Sequence, residues 1–119
     1  MKPERQFVQV PYALLHDFGL DRNAKLVWIV LAANAAMKFP GPRFQIARSI
    51  ACGHSESDIY AKRVWVALGS RADEQRQCHS LTAPLLAKDA DVPESAVHSA
   101  IELLTQSGSL EGFKLEWLS

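Results

Sequence analysis

Residues 80–108 read SLTAPLLAKDADVPESAVHSAIELLTQSG and carry the signals of two short helices joined by a tight turn. Thr82 is a candidate N-cap for the first helix, and Pro84 falls in its first turn, where a missing N–H costs little. Asp91-Val92-Pro93 predicts the turn, because Asp91 tolerates a left-handed backbone. Gly108 can adopt the same conformation and end the second helix.

The second helix has one apolar face. Its apolar residues follow the spacing i, i+3, i+4, i+7 and are Val97, Ala100, Ile101 and Leu104. Leu86 and Ala87 give the first helix an apolar shoulder, on which a crossing helix can pack. This stretch therefore predicts a helix-turn-helix.

This pattern resembles the winged helix-turn-helix, a DNA-binding family in which a strand follows the second, recognition helix. The resemblance rests on Leu86-Ala87, Val92, Val97, Ile101, Leu104 and Gly108-Ser109-Leu110. Asp91 replaces the usual turn glycine and Pro93 the usual Ser/Thr cap. The implied fold is mainly α with a small β-hairpin, the wing, whose strands we expect at residues 109–111 and 113–117.

The start of the chain adds a second resemblance. FVQVPYALL at residues 7–15, followed by LDRNAKLV at 20–27, is similar to the start of winged-helix domains in plasmid and phage replication initiators and primosomal proteins. Residues 7–10 alternate as a strand, which could add to the hairpin. Asp21 caps a predicted helix from Arg22 to about Met37. Its residues 26–33 are apolar nearly all round, which predicts burial on more than one side.

The middle of the chain contains a second candidate helix-turn-helix. A short apolar stripe ends at Gly53 and consists of Phe44, Ile46, Ala47 and Ile50. Ser55 with Asp58 predicts a capped helix that runs to about Gly69. Residues 70–80 are polar and predict an exposed loop.

The pattern DxxAKxVWxxL occurs twice, at residues 21–31 and 58–68, with six matching positions at an offset of 37 residues. Both chance and duplication explain such a match in a short chain. Under duplication, the single domain of residues 1–119 has two winged-helix-like halves, 1–57 and 58–119, which share the helix after Ser57. We expect that helix to be packed between residues 44–52 and residues 81–104.

Length and composition predict one cytoplasmic domain. The chain has 119 residues, of which 48% are hydrophobic and 22% charged. The longest apolar run, residues 26–33, is too short to cross a bilayer, so no membrane association is expected. No secretory signal opens the sequence, and two cysteines make no disulfide framework.

The net charge of zero hides an asymmetry between residues 1–71 and residues 72–119. Ten basic and five acidic residues precede Ala72, whereas three basic and eight acidic residues follow from there. A bound nucleic acid is therefore expected to meet the first half.

The candidate DNA-binding residues form two groups. Within residues 1–71 they are Arg43, Arg48, Lys62 and Arg63 for phosphates, with Ser55, Ser57 and Tyr60 as neutral donors. On the second recognition helix they are Ser95, His98 and Ser99, which can read base edges. Glu94 and Glu102 repel phosphate there, so a solvated or partner-facing helix is the alternative.

Metal binding and catalysis are not expected. Cys52, His54, Cys78 and His79 could ligate zinc, but their spacings match no zinc-finger pattern. No nucleophile motif or phosphate-binding glycine loop is present, so we predict neither an enzyme nor a cofactor.

The expected function follows from the two resemblances. They imply a non-catalytic protein that binds double-stranded DNA, a transcriptional regulator or replication-initiation protein of bacterial, plasmid or phage origin. It would act as a homodimer or in an assembly, because one such unit binds with modest affinity. The alternative is a protein–protein interaction module that uses the winged-helix scaffold without binding DNA.

Overall fold

A computed structural model of the chain describes residues 7–17, 19–35 and 43–118. In chain order its elements are β1 (Phe7–Pro11), α1 (Tyr12–Leu15), α2 (Arg22–Ala35), β2 (Arg43–Ala47), α3 (Arg48–Ala51), α4 (Glu56–Arg71), β3 (Gln77–Leu81), α5 (Ala83–Ala90), the 3₁₀ turn Glu94–Ala96, α6 (Val97–Gln106) and β4 (Lys114–Trp117). The fold is a mainly helical α+β domain, as predicted. The predicted end of the second helix at Met37 lies outside the described residues.

Three helices begin at the caps that the sequence predicts. In each, a side-chain oxygen accepts a hydrogen bond from the N–H three residues on: Asp21 from Ala24 (2.7 Å), Ser55 from Asp58 (3.1 Å) and Thr82 from Leu85 (3.2 Å). Asp91 ends α5 with a left-handed φ of 57°, and Gly108 follows α6 with a φ of 83°. The helix–turn–helix geometry of residues 82–108 is thus set by local signals.

Helix α4 is packed on both sides, as predicted. It contacts α2 and α3 of the first half and α5 and α6 of the second. Trp65 at its centre is fully buried, and its Nε1 donates to the carbonyl oxygens of Gln45 (3.1 Å) and Ser109 (3.0 Å). One side chain therefore ties β2 and the segment after α6 to the same helix.

The predicted wing is wrong. Residues 107–112 form turns, and β4 pairs in parallel with β3 instead of with a strand at 109–111. The backbone groups of Ser109 that a hairpin ladder needs are used elsewhere, because its N–H donates to the carbonyl oxygen of Leu104 (3.0 Å) and its carbonyl oxygen accepts from Trp65. Gly112 also takes a positive φ of 90°, which turns the chain into β4.

Strand β1 was expected to add to that hairpin, and it does not. It pairs antiparallel with β2, with Val10 opposite Phe44. The apolar stripe of residues 44–50 was predicted to be helical. It consists of strand β2 followed by the single helical turn α3. Phe44 and Ile46 are both buried, which is the period-two alternation of a strand.

The predicted loop at residues 70–80 contains β3. The side chain of Asp73 accepts from the N–H groups of Gln75 and Gln77, at 2.9 Å each, and folds the polar residues into a turn. Cys78 and Leu81 of β3 are then buried. These two apolar residues are separated by polar ones, so the polar composition hid the strand.

Helix α2 is buried on one side only, contrary to the prediction. Ile29 is fully buried, whereas Val27 and Leu31 are each 59% exposed. The helix lies at the edge of the fold, where it contacts α3, α4 and β1. No helix in the described ranges has the length and apolarity needed to cross a bilayer.

The order helix–strand–helix–helix occurs twice in the chain. It is formed first by α2, β2, α3 and α4, and again by α4, β3, α5 and α6. This order agrees with halves that share α4. The boundary between residues 57 and 58 and an origin by duplication remain predictions.

Gly69 of α4 lies against Leu15 of α1. A Cβ atom there would lie 2.6 Å from Cδ1 of the buried Leu15. We expect Gly69→Ala to destabilise the fold by roughly 1–3 kcal/mol in urea melts, although alanine favours helix by about 1 kcal/mol. In a Leu15→Ala background the same change should be neutral or stabilising. Stabilisation of the otherwise unchanged chain would contradict this contact.

Trp65 gives a second test of the core. Trp65→Phe removes both hydrogen bonds of the indole and leaves a gap, so the free energy of unfolding should fall by about 2–4 kcal/mol. Urea denaturation followed by circular dichroism measures it. Trp117, which is 38% exposed, is the matched control, and its change to Phe should cost no more than about 0.5 kcal/mol. Equal costs would contradict the bridging role.

Candidate nucleic-acid interface

The two-helix unit of α5 and α6 is held by its apolar residues and by two arginines. Val92 donates its N–H to the carbonyl oxygen of Ala87 (3.1 Å) and closes the turn. Arg63 Nη1 donates to the carbonyl oxygen of Asp91 (3.0 Å), and Arg22 Nη1 to that of Asp89 (2.8 Å). The turn is therefore bound to α4 and α2.

Helix α6 presents a polar face outward. Its buried residues are Val97, Ala100 and Leu104, and Ile101 is half-buried. The exposed residues are His98, Ser99, Glu102, Thr105 and Gln106. This face has no basic side chain other than the imidazole of His98.

The structure separates the ten predicted DNA-binding residues. It brings Ser57 and Tyr60 of α4 together with Ser95 and Ser99 in a groove between α4 and α6. The remaining residues lie outside this groove and are Arg43, Arg48, Ser55, Lys62, Arg63 and His98. The two predicted groups therefore meet along part of α4, which their separation in the sequence did not reveal.

The α4–α6 groove has a volume of about 470 Å³ and an acidic rim. Glu56 on α4 and Glu102 on α6 both line it, and its inner wall includes Ala100 and Leu103. No basic residue belongs to the part of its lining that the structure describes. Such a groove suits a cation and disfavours a phosphate. Sequence reasoning missed Glu56 as a site residue, because its proximity to α6 is tertiary.

Two predicted phosphate contacts flank the turn between α3 and α4. Lys62 Nζ lies 3.5 Å from the carbonyl oxygen of Gly53 in this turn. Arg48 begins α3, on the other side of the turn. His54 and Ser55 of the turn are exposed, and Ser55 also caps α4. The turn is thus bordered by Arg48, by Lys62 and by the first turn of α4, which contains the acids Glu56 and Asp58.

The other two predicted phosphate contacts lie elsewhere. Arg43 is exposed at the start of β2, and five strand steps place it about 16 Å from Arg48. Arg63 holds the turn at Asp91 through its Nη1. Of the four bases, Arg48 and Lys62 therefore lie on the two helices that adjoin the turn, α3 and α4.

Part of the charge asymmetry is neutralised inside the fold. Arg71 of α4 forms an ion pair with Asp89 of α5, and Arg22 of α2 lies 3.5 Å from the Asp91 carboxylate. Each pair joins a base that precedes Ala72 to an acid that follows it. The two halves therefore differ less in surface charge than their sequences indicate. These pairings could not be seen in the sequence, which shows only the sign of each residue.

Lys25 is a buried base with a structural role. Its Nζ donates to the carbonyl oxygen of Leu15 (2.7 Å) and to Ser70 Oγ (3.3 Å), so it fastens α1 to α4. Burial lowers the pKa of Lys25, and the nearby Asp17 carboxylate acts in the opposite direction. Lys25 is thus removed from the solvent-facing charge of the first half.

The cysteine and histidine residues lie in different environments. Cys78 is buried with its Sγ 3.3 Å from the Leu68 carbonyl oxygen, whereas Cys52 is half-buried at the end of α3. His79 is exposed and lies 3.0 Å from the carboxylate of Asp73. In the described ranges, no three His, Cys, Asp or Glu side chains form a cluster that could hold a metal ion.

The buried thiol gives a pH prediction. Burial raises the pKa of Cys78 from 9.0 to about 11. Between these values the unfolded chain loses the thiol proton while the folded chain keeps it, so stability falls as pH rises through this interval. Urea melts at pH 8 and pH 10 measure this effect. Between these pH values, the free energy of unfolding should fall less for Cys78→Ala than for the unchanged chain. An identical loss in both would contradict the shifted pKa.

Comparison with known proteins gives no relative. No protein-family model matches the chain, and no curated protein or solved structure is significantly similar to it. What the chain does is therefore inferred from its own side chains and their positions.

Proposed function

We propose that this chain is a non-catalytic protein that binds double-stranded DNA with the turn between α3 and α4. The observation that carries this proposal is the position of Arg48 and Lys62 on either side of that turn, directly before the N-terminus of α4. Backbone N–H groups at a helix N-terminus attract phosphate, and two flanking bases strengthen that attraction.

The packing of α4 supports this choice of surface. Its residues from Val64 to Gly69 are buried, while Glu56 and Ser57 in its first turn are exposed. A helix fixed along most of its length holds its first turn in a defined place. Phosphate contacts from Arg48 and Lys62 then set the register of this region on DNA, and the exposed His54 and Ser55 directly before α4 meet base edges.

Helix α6 is a weaker candidate for the same role. Glu102 on its outer face and Glu94 in the preceding turn repel phosphate, as Glu56 and Asp58 of α4 do, but α6 has no Arg or Lys to offset them. Ser95 and Ser99 face the groove with α4, where two carboxylates lie. The sequence-based expectation that Ser95, His98 and Ser99 read bases therefore finds less support than the turn before α4.

DNA binding by two copies fits this arrangement. Two phosphate contacts and a short helix turn provide modest affinity, so we propose that the protein acts as a homodimer or within an assembly on its DNA. A regulator of transcription and a replication-initiation protein both use this mode of binding.

Reversal of the two flanking bases tests the proposal. The variant Arg48→Glu with Lys62→Glu should bind a short duplex at least about tenfold more weakly, a loss of about 1.4 kcal/mol, because phosphate attraction becomes repulsion. The slope of log affinity against log salt concentration should become shallower by the contribution of about two phosphate contacts. Fluorescence anisotropy at two salt concentrations measures both, after circular dichroism has shown that the variant is folded.

A matched variant controls for net charge. Lys88→Glu with Lys114→Glu makes the same charge change at exposed positions of α5 and β4, and its affinity should stay within about threefold. Equal losses in the two variants would contradict the proposed surface. Absence of binding by the unchanged chain at low salt would remove the DNA function. Binding lost in Ser95→Ala, His98→Ala, Ser99→Ala but kept in the double reversal would place DNA on α6 instead.

A further inference from the structure

The α4–α6 groove has two carboxylates that DNA binding does not use. Glu56 stands on the α4 side and Glu102 on the α6 side, and both are exposed. A cation between them is attracted by both charges, and attraction is stronger in a groove than on a flat surface, because less water screens it.

The groove also has an apolar side. The ring of Tyr60 is half-buried in the lining, beside Leu103 and Ala100. A tyrosine face attracts a cation, and aliphatic side chains pack against the methylene stem of a long basic residue. A planar guanidinium stacks on such a ring better than an ammonium group does.

Hydrogen-bond acceptors complete the lining. Ser57, Ser95 and Ser99 each offer a hydroxyl oxygen and Gln106 an amide oxygen. A guanidinium has five N–H donors in a fixed fork, so it needs several acceptors beyond one carboxylate. This combination of carboxylates, tyrosine ring and neutral oxygens matches arginine in particular.

We propose that the α4–α6 groove binds an arginine-bearing segment of a partner protein. Its volume of about 470 Å³ falls in the range of sites that take a small ligand or a few side chains, so an extended segment fits it better than a folded surface. The charge complementarity between the acidic rim and an arginine side chain selects this occupant over a nucleic acid.

The groove and the proposed DNA surface lie on different faces of α4. At about 100° per residue, Lys62 lies roughly 190° around the helix axis from the mean direction of Glu56, Ser57 and Tyr60. The inference therefore goes beyond DNA binding and does not depend on it. One copy of the chain can hold DNA and a partner segment together.

A nuclear magnetic resonance titration tests this site. The probe is the peptide acetyl-Ala-Arg-Ala-Arg-Ala-amide, added to the full chain labelled with ¹⁵N. We expect saturable amide shifts at residues 56–60 and 93–106. The peptide with citrulline in place of both arginines keeps the shape but loses the charge, and it should bind at least about tenfold more weakly.

Two charge variants decide the outcome. Glu56→Gln with Glu102→Gln should weaken the arginine peptide at least about tenfold, whereas Glu74→Gln with Glu111→Gln, the same change at exposed positions outside the groove, should stay within about twofold. Tyr60→Leu should also weaken binding, by at least about threefold. Lys62→Gln should leave peptide binding unchanged while it weakens DNA binding. The failure of one proposal would therefore not imply the failure of the other.

Several results would overturn the inference. They are absence of saturable shifts, equal affinity for the citrulline peptide, or equal losses in the two glutamate variants. Shifts at residues 56–60 and 93–106 caused by duplex DNA and not by the peptide would assign the groove to nucleic acid. Self-association of the chain through these residues, seen by sedimentation without peptide, would assign it to a second copy.

Discussion

The structure depends on the burial of α4 between two sets of helices. Trp65 is its central contact, because the indole N–H reaches the carbonyl oxygens of Gln45 and Ser109 from inside the core. Two segments distant in sequence, β2 and the chain after α6, are held by one donor. Gly69 allows α1 to approach the same helix through Leu15. Because α4 is packed against helices on both sides, its most exposed part is its first helical turn. That turn and the loop between α3 and α4 can contact other molecules.

The N-terminal half of α4 has two faces that carry different charged side chains. On one side, Lys62 approaches the turn that follows Arg48. On the other, Glu56 faces the groove that Glu102 also lines. The core orients both faces at once, because residues from Val64 onward fix the rotation of α4 about its axis. Under the two proposals, a phosphate and a guanidinium would bind on different faces of the same helix.

Charge pairing inside the fold changes how the sequence asymmetry is read. Arg22 and Arg71 of the first half face Asp91 and Asp89 of the second. Such partly exposed pairs add modest stability, on the order of 1 kcal/mol or less each. Their larger effect is on location, because they hold Arg22 and Arg71 against α5 and the residue that ends it. Counting charges along the chain thus overstated the positive surface of the first half.

The sequence by itself determined where three helices begin, where α5 and α6 end and which face of α6 is apolar. The caps at Asp21, Ser55 and Thr82, the left-handed Asp91 and the apolar stripe of α6 were all predictable, because each depends on neighbours within one or two helical turns. Only the tertiary structure decided strand pairing, the absence of the wing hairpin, the exposed side of α2 and the grouping of the site residues. Each of these depends on a partner far along the chain: Ser109 accepts hydrogen bonds from Ala47 and Trp65, and Glu56 lines the same groove as residues of α6. Spacing within a sequence reports which residues share a face, but which other face covers them is settled by long-range packing and by competition for backbone hydrogen bonds.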